Sequence, residues 1–335
     1  MPHILEVKEL GIEFSEDKKK QVRAEGISFC VDEGETVCLV GESGCGKSIT
    51  SLAIMGLLGK GGRVCGGEIL FRGQNLLTLS RRELDQIRGK DLSMIFQDPL
   101  SSLNPVFTIG RQVRESLTSH QKLDKAEAEK RGIELLERVG LRDARAVMKK
   151  YPYQLSGGMR QRVMIAMALA VGPGLLIADE PTTALDVTIQ AQIIRLLKKL
   201  KEEEESALLL ITHDMGVVAQ MADRVLVMYA GQIVEEAPVR ELFANPRHPY
   251  TKALLAAAPS VRNPRQGRLA SIEGVVPEDY GTLTGCRFRS RCPFQTEECG
   301  DSQELCVIGE GEERPETAVH RVRCRRAKEV DKNEE

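Results

Sequence analysis

The chain has 335 residues, 41% hydrophobic and 29% charged, with a formal net charge of −2. That length suits one large α/β domain with a small appendage, and the near-neutral balance speaks against a general nucleic-acid binder, which is basic. The most apolar stretch, 163–178, is shorter than the ~20 residues of a membrane-spanning helix and contains Pro173, and MPHILEVKEL mixes acids and bases without a signal-peptide pattern; the expectation is a protein of the cytosol or of a membrane surface.

In chain order, ETVCLVG at 35–41 predicts a buried strand, followed by a glycine-rich turn and a helix through Leu58. VCGGEILFRGQ predicts a strand with turn glycines before and after it. Residues 124–139 predict an amphipathic helix with Ile133, Leu135, Leu136 and Val139 on its apolar side, and 159–170 a largely buried helix. Strand LLIAD, helix VTIQAQIIRLLKKLKEEEE, strand ALLLITH and a hairpin RVLVMYAGQIVEEA follow. Strands alternating with helices argue for a mainly parallel sheet. From about Asn245 prolines become frequent and periodicity fades, which marks a second, smaller domain.

GESGCGKS, Gly41–Ser48, fits G-x-x-x-x-G-K-[ST] directly after a strand. Its glycines let backbone N–H groups wrap a phosphate chain, and the following helix adds its positive end. The candidate nucleotide-binding residues are Gly41, Glu42, Ser43, Gly44, Cys45, Gly46, Lys47, Ser48 and Ile49. Lys47 reaches the β- and γ-phosphates and the Ser48 hydroxyl ligates Mg²⁺. The metal also needs a carboxylate at the end of a strand. LLIADE supplies Asp179, with Glu180 next to it to polarise an attacking water. Cys45 sits near a helix N-terminus that can lower a thiol pKa, which opens oxidation as a block to ATP; the competing reading is a neutral filler.

LSGGMRQR, Leu155–Arg162, supplies a second anion site at a helix start: Ser156 caps it, and Gly157 and Gly158 let a ligand approach the backbone. With both anion sites in one chain, the sequence resembles the ATP-binding-cassette (ABC) ATPases. The resemblance covers about 4–240 and implies a RecA-like P-loop ATPase core with an antiparallel β subdomain and a helical subdomain. It also implies a head-to-tail dimer, with ATP held between the phosphate loop of one subunit and the LSGG of the other. By the same resemblance, FQDP supplies Gln97, which senses Mg²⁺ and the membrane partner. Asp186 of TTALD lies at the dimer seam, His213 of ITHD contacts the γ-phosphate, and Phe14 stacks on adenine or, alternatively, is core. With Lys47, Gln97, Ser156, Glu180 and His213 all in place, hydrolysis is expected.

FQDPLSSLNPVFTIGRQV, SLAIMGLL and HPYTKALLAAAP are similar to ATPase subunits of bacterial dipeptide/oligopeptide importers, specifically the first of their two. This implies an ABC nucleotide-binding domain at 1–244, with a helical subdomain at about 98–158 that receives the permeases, and a C-terminal extension at 245–335. It further implies two membrane permeases, a second paralogous ATPase subunit, an extracytoplasmic substrate-binding protein, no nucleic acid, and a peripheral place on the cytoplasmic face of the inner membrane. The alternatives are a nickel or other small-solute importer, and a soluble non-transport ABC ATPase.

Of nine cysteines, Cys30, Cys38, Cys45 and Cys65 are scattered and read as buried hydrophobes. The other five follow C-x5-C-x6-C-x6-C-x17-C from Cys286 to Cys324. That spacing lacks paired zinc knuckles and does not match the compact ferredoxin run, so it says metal or cluster without choosing. Arg287, Arg289, Arg291, Arg323, Arg325 and Arg326 lie close by to offset thiolate charge. Some peptide-importer ATPases end in a similar pattern holding a [4Fe–4S] cluster; the resemblance assigns the ligands to Cys286, Cys292, Cys299 and Cys324, with Cys306 either spare or a substitute.

Overall fold

The computed structural model describes residues 3–16, 19–183, 185–258, 272–277, 279–308 and 319–327. In chain order the strands are β1 (Leu5–Glu16), β2 (Lys19–Val31), β3 (Thr36–Val40), β4 (Gly62–Phe71), β5 (Gln74–Asn75), β6 (Leu92–Ile95), β7 (Leu175–Asp179), β8 (Ala207–Thr212), β9 (Arg224–Tyr229), β10 (Gln232–Pro238), β11 (Cys306–Val307) and β12 (Arg321–Val322). The helices are α1 (Lys47–Ile54), α2 (Arg81–Ile87), α3 (Pro99–Ser102), α4 (Ile109–Thr118), α5 (Lys125–Arg138), α6 (Ala144–Met148), α7 (Gly157–Ala168), α8 (Val187–Glu204), α9 (Met215–Met221), α10 (Val239–Ala244) and α11 (Pro249–Ala257). Two compact units form: one on Asp32–Glu35 and Thr78–Ile211, the other on Leu5–Val31, Thr36–Leu77 and the described residues from Thr212 onward.

In the first unit β6, β7 and β8 pair in parallel, Leu92 opposite Leu175 and Leu175 opposite Ala207. Every residue of these strands is buried, as expected when helices cover both faces of a parallel sheet. The segment from α3 to α6 is helical. Along α5 the buried stripe is Ala128, Gly132 and Leu136, continued by Val139. Ile133 and Leu135, expected on the apolar side, are only half-buried. The reason is packing: Met148 and Val113 press so close to Gly132 that an added Cβ would lie 3.0 and 3.2 Å from them, which fixes the inner face one residue away from Ile133.

In the second unit β3 runs parallel to β9, and β9, β10, β12 and β11 continue antiparallel. A separate antiparallel sheet has the order β2-β1-β4-β5. The paired glycines of VCGGEILF lie inside β4 instead of before it. They sit at a register break against β1, where Gly67 has φ +85 and a Cβ would lie 2.3 Å from the Lys8 carbonyl; this is a bulge that only glycine allows. The β9–β10 hairpin turns on Ala230 and Gly231, both in the left-handed region that two-residue hairpins of this hand require.

The described C-terminal segment has short 3₁₀ turns and the β11–β12 pair, with β12 adding to β10 through Glu235–Val322 and Glu236–Arg321. Polar contacts dock it: Arg321 reaches Glu236, which is already paired with buried Arg224 of β9, at 3.0 Å, and His320 lies 2.7 Å from Glu235. Cys30, Cys38 and Cys45 are buried as expected, whereas Cys65, on the outer part of β4, is exposed. Among the described residues no helix is long and apolar enough to cross a membrane.

Candidate functional site

The apolar run of β3 ends at Val40 and the chain turns through Gly41–Gly46 into α1, whose N-cap is Gly46 with no side-chain cap. Gly46 has φ +109, and a Cβ there would lie 2.9 Å from the Arg23 carbonyl, so the loop closes only with glycine at that point. Cys45, Gly46 and Lys47 are buried, Glu42, Ser48 and Ile49 half-buried, and Ser43 and Gly44 exposed. The Lys47 ammonium lies inside the loop, donating to the carbonyls of Gly41 at 2.8 Å and Glu42 at 2.9 Å. It is a cation held within the ring of peptides that the motif predicts for phosphate.

Burial pushes the Cys45 thiol pKa up, and the Lys47 charge only partly offsets this. The thiol has no exposed surface, which accords with the filler reading. Phe14 is half-buried on β1 with its ring against Gly62, where a Cβ would lie 2.8 Å from it. His213, just after β8, is exposed and precedes α9, which Asp214 caps. These residues share one compact unit; Gln97, Ser156, Asp179, Glu180 and Asp186 belong to the other.

In that other unit β7 carries Asp179, 4% exposed, at its last position. Glu180 follows with φ 43, an uncommon left-handed conformation for a non-glycine residue and a place where strain is stored. Its amide donates to the Ile211 carbonyl at 2.9 Å. Its Oε2 accepts from Gln97 Nε2 at 3.1 Å and from Thr183 Oγ1 at 2.8 Å. The structure thus joins two predicted residues, Gln97 and Glu180, and adds Thr183, whose only sequence signal is a hydroxyl three positions after the glutamate.

Ser156 caps α7 as expected, accepting from the Met159 amide at 3.4 Å. The two following glycines differ. A Cβ on Gly158 would lie 3.0 Å from Ile189 of α8, so helix packing also constrains Gly158, whereas on Gly157 the nearest atom would be 3.7 Å away. Asp186 caps α8, accepting from the Ile189 amide at 2.9 Å. Ala184, within TTALD, lies outside the described residues.

Cys286, Cys292, Cys299 and Cys324 line a single cavity together with His248, Phe288 and Phe294. Cys306 is on β11, exposed and outside that lining. Of the six nearby arginines, Arg289, Arg325 and Arg326 border the cavity, while Arg287, Arg291 and Arg323 bind elsewhere. Burial pushes the Cys286 thiol up to about 11, with the other three cysteines adding to the rise, and burial also raises Cys292 and Cys324. His248 is fully enclosed, and burial lowers its pKa to about 4. Its Nδ1 accepts from the Tyr250 amide at 3.1 Å, which places the proton of the neutral ring on Nε2, an atom with no hydrogen-bond partner among the described residues. Among the described residues no group of three or more His, Cys, Asp or Glu side chains is disposed to hold a single metal ion, so a mononuclear site is not preformed.

The family described as "ABC transporter" matches residues 24–183, and that described as "Oligopeptide/dipeptide transporter, C-terminal region" matches 234–299. A probable peptide ABC transporter ATP-binding protein of Sinorhizobium fredii is 48% identical over 98% of this chain and 96% of its own length. The oligopeptide transport ATP-binding protein AppD of Bacillus subtilis is 50% identical over 90% and 92%. The dipeptide transport ATP-binding protein DppD of Escherichia coli is 48% identical over 92% and 94%. Among solved structures, the ATP-binding cassette MJ0796, a dimer bound to ADP and Pi after hydrolysis, aligns with a TM-score of 0.64 at 30% identity over 70% of this chain and 99% of that one.

Proposed function

The chain belongs to the ATP-binding subunits of oligopeptide/dipeptide ABC transporters, and on that premise we propose how its residues divide the work. It binds and hydrolyses ATP to power peptide import. The peptide N–H groups of Gly41–Ile49 cradle the phosphates, Lys47 swings from its own carbonyls onto the β- and γ-phosphates, and Phe14 stacks on adenine. Ser48, Asp179 and Gln97 hold Mg²⁺, which neutralises phosphate charge. Glu180 takes the proton of the attacking water and His213 contacts the γ-phosphate. The observation that carries this reading is the carboxylate of Glu180, one residue past Asp179, aimed by two donors while its backbone is held in the left-handed region.

Ser156, Gly157 and Gly158 serve the nucleotide held by a second, paralogous ATPase subunit, with Asp186 at the seam; the exposure of Ser156 and Gly157 supports this. Residues 1–244 form the nucleotide-binding part, 98–158 its helical subdomain and 245–335 the extension. The chain sits peripherally on the cytoplasmic face of the inner membrane, below two permeases that receive peptide from a binding protein outside.

The cysteine cavity holds a [4Fe–4S] cluster on Cys286, Cys292, Cys299 and Cys324. The donor set fits: a mononuclear zinc draws four ligands to ~2.3 Å from one centre, whereas a cluster takes one thiolate per iron. The four thiols border one cavity, and so does His248, whose Nε2–H has no acceptor among the described residues; a cluster bound there would supply one. Its part is to pin the extension.

The test is uptake by cells lacking the chromosomal copy. Wild-type chain restores uptake of labelled di- and tripeptides and Lys47→Ala does not. Restoration of nickel uptake in place of peptide uptake overturns the substrate class.

A further inference from the structure

We propose that Tyr280 and Arg291, both in the C-terminal extension, are positioning residues of the phosphate loop: the extension holds the loop from behind in the form that receives nucleotide. The Tyr280 hydroxyl donates to the Gly44 carbonyl, 236 residues away in sequence. Tyr280 is 2% exposed, and burial pushes its phenol up to about 12, so it stays a donor at neutral pH. In a trans peptide the C=O and the next N–H point in opposite directions. Fixing the Gly44 carbonyl therefore also fixes the Cys45 N–H of the same peptide, which donates across the loop to the Glu42 carbonyl at 3.4 Å until a phosphate takes that place. The next peptide is fixed the same way, its Cys45 carbonyl accepting from the Gly231 amide at 2.8 Å. Arg287 seats that hairpin turn by donating to the Ala230 carbonyl at 2.5 Å. Two consecutive loop peptides are thus fixed by partners from outside the loop.

The same arrangement meets the start of the loop. Arg291, its side chain 4% exposed, grips both oxygens of Glu42 at 2.7 and 3.0 Å, a two-pronged pair that fixes direction as well as distance. Tyr250 accepts from the Glu42 amide at 2.8 Å. Arg291 is itself held by the carbonyls of Ile272 and Glu273 at 3.2 and 2.7 Å. A flexible loop must be ordered before it binds, and contacts that order it in advance lower that cost. The expected signature is in affinity, with the chemical step intact once ATP is bound.

The inference rests on ATP occupying this loop, so the first control is Mg-ATP binding to the wild-type full-length chain by calorimetry; no binding there defeats that reading and not this one. Given binding, Tyr280→Phe, which removes one hydroxyl, weakens Mg-ATP by about three- to tenfold. The kcat of the assembled transporter at saturating ATP stays within about twofold, so KM carries the change. Arg291→Gln weakens Mg-ATP as well, whereas Arg291→Lys recovers less than half the loss because it lacks the fork. A fall in thermal midpoint with unchanged Mg-ATP affinity in both Tyr280→Phe and Arg291→Gln overturns the proposal and leaves the contacts as structural ties.

Discussion

Gln97 donates to the Glu180 carboxylate across 3.1 Å, although 83 residues separate them in sequence. The contact falls on the same Oε2 that Thr183 binds at 2.8 Å, so two neutral donors set the direction of one charged group. Glu180→Gln removes the base and keeps the shape. Mg-ATP affinity is expected within about threefold of wild type and hydrolysis lower by roughly 10²–10⁴. Thr183→Val deletes one hydrogen bond to a charged group, with an expected loss near tenfold in hydrolysis. Steady-state ATPase assays beside nucleotide titrations check both. Equal losses of binding and turnover in Glu180→Gln contradict the assignment.

The glycines after Ser156 separate packing from function. Gly158→Ala forces a Cβ to 3.0 Å from Ile189 and is expected to cost about 1–3 kcal/mol of stability. Gly157→Ala has room to fold, its nearest contact being 3.7 Å, yet would cover backbone that the proposed second subunit's nucleotide must approach. Urea unfolding is therefore expected to detect only Gly158→Ala, while hydrolysis by the assembled transporter falls in both.

Stability is expected to drop in mild acid. Burial holds His248 at about 4, below the ordinary value near 6.5. The unfolded chain therefore takes the proton more readily than the folded one, and stability complete above about pH 6.5 drains as pH falls toward 4. Glu235 raises and Arg323 lowers the histidine's affinity for that proton, and burial outweighs the former. The full shift corresponds to at most roughly 3 kcal/mol. For Glu235 burial works upward, but His320 at 2.7 Å and the amides of Arg247 and His248 at 2.6 and 2.9 Å hold its pKa low, which extends the loss below the usual carboxylate range. Urea midpoints measured between pH 7.5 and 4 follow this slope in wild type and flatten between about 6.5 and 4 in His248→Gln.

Purified without oxygen, the chain is expected to carry about four irons and four sulfides with a broad brown absorbance. Cys292→Ser loses them and Cys306→Ser keeps them. Chelation of the iron exposes the segment around 280–327 to protease. One zinc and no sulfide contradicts the cluster; equal iron loss in both variants puts Cys306 among the ligands.

Features carried by contiguous residues were legible in the sequence. The phosphate loop, the LLIADE strand end, the Ser156 cap and the β9–β10 hairpin each depend on a few neighbours, and all lie where the pattern put them. Features that depend on distant contacts were not legible. The glycines of β4 read as a turn until β1 is laid beside them, since a bulge is a property of a pair of strands. Ile133 and Leu135 satisfy the helical period, but Met148 and Val113 decide which side turns inward. The arginines near the cysteines share one composition and two destinations, and only the fold shows Arg291 on Glu42 and Arg326 at the cavity. Thr183 and Tyr280 carry no motif of their own.

The measurement that bears most directly on the central claim is ATP hydrolysis by the assembled transporter in lipid vesicles, with and without binding protein and peptide. Hydrolysis is expected to rise when peptide-loaded binding protein is added, accompanied by peptide accumulation, with both lost in Glu180→Gln. Hydrolysis that is indifferent to peptide, or that persists in Glu180→Gln at the wild-type rate, contradicts that claim.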